Sequence, residues 1–163
     1  MPKTAKDKLR IDGSSEIRQI RQKKWIIWAA ILISQSLYLI VGYFILQLSP
    51  FNYIKEYSML TIILGSISIL TAIFTFLISQ IILLRLAEKG KLDLSSYEGS
   101  LRLLKISIVI WFFLESIGIY GLILTILTND FTLMIPFVIG SLILLLINNP
   151  RAIENNINKH LLN

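Results

Sequence analysis

The sequence predicts an all-α, polytopic membrane protein with four transmembrane helices. Three observations carry that expectation. Apolar residues make up 55% of the 163 positions, they gather into four long blocks, and the basic residues sort to one side of those blocks. No charge falls between Trp25 and Leu48 or between Tyr57 and Leu84. Glu115 is the single charge from Ile106 to Asn129, and Phe131 to Pro150 again has none. A hydrocarbon layer of about 30 Å needs about 20 apolar residues in a helix. The spans are therefore expected at about 25–48, 57–85, 103–128 and 132–149, after a basic segment 1–24 and before an amphipathic tail 150–163.

Orientation follows from the positive charges. Lys3, Lys6, Lys8, Arg10, Arg18, Arg21, Lys23 and Lys24 precede the first span; Arg85, Lys89, Lys91, Arg102 and Lys105 separate the second from the third. Arg151 and Lys159 follow the fourth, whereas the other two connections hold only Lys55 against Glu56 and Asp130. Cytoplasmic loops carry the excess of lysine and arginine. Both termini and the middle loop are thus expected inside, most simply at a bacterial cytoplasmic membrane. The net charge of +6 belongs to this topology rather than to nucleic-acid binding. With no cysteine, disulfides and thiolate metal sites are excluded.

Residues 1–13 read as a polar, mobile lead-in as far as Asp12-Gly13, with Ser14 or Ser15 capping a helix of Ile17, Ile20, Arg18, Arg21, Lys23 and Lys24. Its basic residues either set topology or rest on an anionic inner leaflet, at roughly 1 kcal/mol each. The first span is too long for a signal-peptide core and lacks a small-x-small cleavage site, so it reads as an uncleaved anchor. Trp25 and Trp28 suit the inner headgroup level. Gln35, flanked by Ser34 and Ser36, is its polar centre, with Tyr38 and Gly42 on the same face. Ser49-Pro50 ends it, and Phe51, Tyr53 and Tyr57 suit the outer interface.

The second span carries Gly65, Ser68, Ala72, Thr75 and Ser79 at three- and four-residue spacing, the pattern that lets membrane helices approach closely. Gly90 suits its C-terminal cap, and Ser95-x-x-Glu98 reads as a capping box for a helix starting near Ser96. The third span places Ser107, Trp111, Glu115, Gly118, Leu122 and Thr125 on one face, and Gly118 and Gly121 bare its backbone beyond the acid. Thr128-Asn129-Asp130 reads as a tight turn, with Pro136 near the start of the fourth span. Asn149-Pro150 joins an N-cap to a proline at the first helical position. Ile153, Ile157 and Leu161 then stripe one side of a short helix expected to lie on the inner surface.

Glu115 is the residue with the most chemistry. A carboxyl at the centre of a membrane helix costs about 2.5–3.5 kcal/mol on insertion scales and marks a functional site by default. At 1.5 Å per residue from Lys105 it lies about 15 Å deep, and the same count puts Gln35, Thr75 and Ser141 at about that level. Without a cationic neighbour in its layer the acid is expected to be neutral, donating to a group such as the Gln35 carbonyl. Two roles compete: an ion-binding carboxylate for H⁺ or Na⁺ with Gln35, Thr75 and Ser141 near it, or an interhelical hydrogen-bonding group worth roughly 0.6–2 kcal/mol. No nucleophile–base pair, metal-ligand cluster or phosphate loop occurs, so neither catalysis nor a cofactor is expected. His160, the single histidine, falls on the polar tail.

Residues 115–124, Glu-Ser-Ile-Gly-Ile-Tyr-Gly-Leu-Ile-Leu, resemble the ion-binding helix of the proteolipid (c) subunits of rotary ATPases, where a similar E-x-x-x-I-Y-G-L pattern occurs. The resemblance implies that Glu115 is the carboxylate taking up H⁺ or Na⁺ and that the second and third spans form the proteolipid hairpin. The first and fourth spans are additions to it, and the R-Q/N-P loop of those hairpins is missing. The chain as a whole resembles small bacterial four-span membrane proteins. Gln35-Ser36-Leu37 and Glu115-Ser116-Ile117 form a faint internal echo, which either reflects parallel hairpin repeats or chance. Two kinds of function are therefore expected: an ion-binding subunit centred on Glu115 and oligomeric through small-residue faces, or a non-catalytic scaffold, accessory or immunity-type protein that contacts a larger membrane partner.

Overall fold

The computed structural model describes residues 5–48, 57–88 and 96–161. They form helices α1 (Ala5–Leu48), α2 (Tyr57–Glu88), α3 (Tyr97–Thr128), α4 (Met134–Ile147) and α5 (Pro150–Leu161), with a 3-10 turn over Phe131–Leu133. Among the described residues there is no strand. Among the described residues three stretches are long and apolar enough to cross a membrane: Ser15–Leu48, Ser58–Leu77 and Tyr97–Thr128. Phe131–Ile147 is a shorter apolar helix.

The N-terminal lead-in differs from expectation. α1 is one unbroken helix of 44 residues that starts at Ala5 and runs on through Gly13, Ser14 and Ser15. Residues such as Lys6, Lys8, Arg10, Glu16 and Gln19 are good helix formers, and one glycine costs only about 1 kcal/mol. The start of α3 is one residue later than the capping box suggests. Ser96 is the N-cap, its Oγ accepting from the Gly99 N–H at 3.1 Å. Glu98 instead sits 3.7 Å from Arg102 on the exposed surface. Ser95 and Gly90 lie outside the described residues, as do Ser49, Pro50, Phe51 and Tyr53.

The turn between α3 and α4 follows from its side chains. Asn129 takes the left-handed conformation, φ 54° and ψ 30°, and its N–H closes on the Thr125 carbonyl at 2.8 Å. Asparagine tolerates that region better than other side-chain-bearing residues. Asp130 Oδ1 then accepts from the Thr132 N–H at 2.9 Å and from its hydroxyl at 2.6 Å, starting the 3-10 turn. α4 consequently begins at Met134 and ends at Ile147, inside both limits of the expected span. Asn149 Oδ1 accepts from the Ala152 N–H at 2.9 Å, and Pro150 opens α5.

α3 is the central helix and packs against α1, α2 and α4, while α2 leans mainly on α3 and also touches α5. Trp111, Leu103, Leu114, Leu124 and Leu145 are almost wholly buried around it. α2 is built inside out relative to a water-soluble helix. Among its described side chains Ser68, Thr75 and Ser79 are the buried ones, and Ile62, Ile69, Leu70 and Phe76 are exposed. Its inward hydroxyls are satisfied locally, by the carbonyls of Leu64, Thr71 and Phe76 respectively. Ala72 is half-buried against the core. Gly65 departs from the close-packing expectation, since a side chain there would meet nothing within 4 Å. It borders an apolar groove of about 270 Å³ between α2 and α4, floored by Ile117.

α5 also differs. Ile153 and Ile157 of its apolar stripe are buried in the bundle's core cluster with Leu103, while the Leu161 side chain lies outside the described residues. An amphipathic stripe shows that one side needs an apolar partner but not which partner. Two indoles hold the α4–α5 junction. Trp28 Nε1 donates to the Leu145 carbonyl at 3.0 Å and Trp111 Nε1 to the Asn148 carbonyl at 2.7 Å. These carbonyls fall where α4 has run out of its own N–H donors. Trp28 therefore points inward, while its edge-to-face neighbour Trp25 is exposed.

Candidate functional site

The α1 sequence Ile31-Leu-Ile-Ser-Gln-Ser-Leu-Tyr38 puts Ser34 and Tyr38 one turn apart on one line of the helix, with Gln35 beside them. Ser34 Oγ and Tyr38 Oη converge on one carboxyl oxygen of Glu115, at 2.6 and 2.8 Å to Oε1. The acid is half-buried in the seam between α1 and α3. Among the described residues the ion pairs are Lys24–Glu154 and Glu98–Arg102, so no cation pairs with Glu115. Ser34 Oγ is also 2.6 Å from the Ile31 carbonyl on its own helix.

Gln35 does not accept from Glu115, contrary to expectation. It is fully buried, and neither Oε1 nor Nε2 has a hydrogen-bond partner. Its amide lies over bare helix backbone at Gly118, where a Cβ would collide with Oε1 and sit 3.0 Å from Cδ. Gly118 is the glycine whose missing side chain this packing requires. Ser141, also fully buried, donates to the Leu114 carbonyl at 2.7 Å. Gln35 from α1 and Ser141 from α4 thus meet, from two sides, the short section of α3, residues 114–118, that carries Glu115. They do not form one hydrogen-bonded cluster. Thr75 is buried but spends its hydroxyl on the Thr71 carbonyl of α2, apart from the Glu115 bonds. Gly121 gives room to α4, for a Cβ there would come 2.7 Å from Phe137 Cβ and 3.2 Å from the Met134 carbonyl.

The acid's hydrogen-bonding residues are therefore Ser34 and Tyr38 rather than Gln35, Thr75 and Ser141. The signal for them was present in the i, i+4 spacing of two hydroxyls on one face of an otherwise apolar helix. Among the described residues there is no group of three or more His, Asp or Glu residues that could hold a metal ion.

A second polar contact lies at the other end of α1. Lys24 Nζ, buried although one residue before the first apolar block, pairs with Glu154 Oε1 of α5 at 2.7 Å. Burial lowers the Lys24 pKa from the ordinary lysine value; the Glu154 hydrogen bond and charge oppose this, and Arg21 adds slightly to the lowering. The pair fixes α5 across the end of the bundle, next to Ile20, Ser100 and Leu103.

This arrangement defines the class that the geometry supports, an all-helical bundle with an apolar exterior and a lone acid in an interhelical seam. No family model, curated protein or solved structure matches the chain.

Proposed function

We propose that the protein is a small four-span integral membrane subunit, with both termini cytoplasmic, in which Glu115 reversibly binds a proton or Na⁺. The observation that carries this reading is the seam itself. Two hydroxyls converge on a half-buried carboxyl that no lysine, arginine or histidine pairs with among the described residues. An acid there is held by groups that serve both of its forms. A serine or tyrosine hydroxyl can donate to a carboxylate, and its oxygen can accept from a carboxylic acid. Permanent neutralisation would need no such adaptable pair. The proteolipid-like run 115–124 supports the same role. The donors come from α1, however, outside the hairpin that the likeness covers. Placement in a bacterial cytoplasmic membrane rests on the charge asymmetry of the loops. Assembly with further copies or with a larger membrane partner would use the groove beside Gly65, Ser68 and Ala72.

Infrared titration of the reconstituted protein tests the reading. The neutral-carboxyl band that disappears in Glu115→Gln should also disappear on raising the pH or adding Na⁺, and return on reversal. A band that persists through every condition would leave Glu115 as a fixed tie between α1 and α3. That second reading is favoured by the interhelical character of both hydroxyl bonds. On it, Glu115→Gln keeps function and Glu115→Ala loses it.

A further inference from the structure

Resting on the reading of Glu115 as a reversible ion site, the geometry points to the proton, and not Na⁺, as the ion it takes. The oxygens around the carboxyl stand at hydrogen-bonding distances. Ser34 Oγ and Tyr38 Oη are 2.6 and 2.8 Å from Glu115 Oε1. Oxygens about one bound cation of this size, each about 2.3–2.6 Å from the metal, stand well over 3 Å from one another. For Na⁺ to be shared with Oε1, both hydroxyls would have to retreat by more than about 0.5 Å. The oxygen best suited to complete a cation's shell, Gln35 Oε1, is laid against Gly118 instead.

Counting hydrogens leads to the same ion. The Ser34 hydroxyl has one hydrogen and two neighbours at 2.6 Å, the Ile31 carbonyl and Glu115 Oε1. The carbonyl can only accept. When Ser34 donates to it, the short contact to Oε1 needs a hydrogen from the acid. The set then closes as one directed chain. Tyr38 donates to Oε1, the acid O–H donates to Ser34 Oγ, and Ser34 donates to Ile31. Loss of the acid's proton is met by rotating a single hydroxyl, so that Ser34 turns its hydrogen from Ile31 to the carboxylate. No helix has to move. The titratable group facing Glu115 from α1 is Tyr38; α4 carries none between Met134 and Ile147, and α2 none between Ser58 and Leu84. On α3 itself the titratable residues nearest in sequence are Tyr120 and Lys105.

The experiment is modification of the full-length, detergent-extracted protein by a hydrophobic carbodiimide, which reacts with neutral carboxyl groups. Attachment at Glu115 is read by peptide mass, with Glu115→Gln as the blank. The pH series is run in sodium chloride and again in choline chloride at equal ionic strength. The rate should fall about tenfold per pH unit above the midpoint, and the two salt series should superimpose. Protection by Na⁺ at fixed pH would overturn the proton assignment while leaving the ion-site reading standing. Equal modification at every pH and in both salts, or none at any pH, would overturn the ion-site reading itself.

Discussion

Replacing Gln35 with methionine should stabilise the folded bundle. Gln35 is fully buried and its amide oxygen and nitrogen are both without partners. An unsatisfied buried polar group costs about 1–3 kcal/mol. Methionine has nearly the same length and flexibility, and volume-conserving apolar swaps cost under about 1.5 kcal/mol. Its thioether would take the place of the amide over Gly118 without a new clash, because the glycine offers only backbone. The gain is smaller than in a water-soluble protein, since a helix unfolded within micelles also buries part of its glutamine. The net expectation is a stabilisation of about 1 kcal/mol. Unfolding in mixed detergent–dodecyl sulfate micelles, followed by the fluorescence of the inward-facing Trp28 and Trp111, measures it. A destabilisation exceeding about 1.5 kcal/mol would refute the reasoning, because it would mean that the amide has partners in the folded state.

Gly118→Ala should destabilise the bundle by about 1–3 kcal/mol through overpacking against the Gln35 amide. Combining it with Gln35→Ala should recover most of that loss, and additive losses in the double-mutant cycle would contradict the contact. Trp111→Phe should cost about 1–3 kcal/mol, because the Asn148 carbonyl loses its 2.7 Å donor. Faster proteolysis of α5 in this variant would place the loss at the α4–α5 junction. Glu154→Gln should weaken α5 docking by up to about 3 kcal/mol, since it leaves the Lys24 ammonium buried without its counter-charge. Lys24 has a folded-state pKa lowered below its unfolded value, so the folded form binds fewer protons between the two values. Its burial penalty is complete at lower pH and is relieved as pH rises through the lowered value. The Glu154→Gln variant should therefore regain stability on alkalinisation, over a window ending near the ordinary lysine pKa. A flat chemical-denaturation profile across that window would refute it.

The sequence makes the helical elements readable because lipid-like runs are long and their punctuation is local. Asn129 and Asp130 turn the chain, and Asn149-Pro150 opens α5, each by a hydrogen bond within a few residues. The start of α1 is less legible. Gly13 and two serines look like a boundary, but good helix formers on both sides carry the helix through. Depth counting locates Glu115 and Gln35 at one level, yet it carries no information on azimuth. Ser34 and Tyr38, not Gln35, turn out to reach the acid. The Lys24–Glu154 pair joins residues 130 apart in sequence, a distance at which composition and periodicity are silent. The fate of the Ile153–Ile157 stripe was equally undecidable, because lipid and protein satisfy an apolar face alike.

The unequal lengths of the helices beside α3 have a consequence for the surrounding lipid. The 3-10 turn and α4 together, three and fourteen residues, rise about 27 Å. α2, with 32 residues, rises about 48 Å on the other side of the groove. A hydrocarbon layer of about 30 Å is longer than the first and shorter than the whole of the second, of which the apolar stretch Ser58–Leu77 alone would fit it. With all four spans placed in a bilayer as proposed, the acyl chains bordering α4 would shorten slightly, and α2 would incline or emerge beyond the headgroups. The annulus around this molecule would then be lopsided, thinner along one edge than along the other, and membrane thickness would act on the angle between α2 and the rest of the bundle.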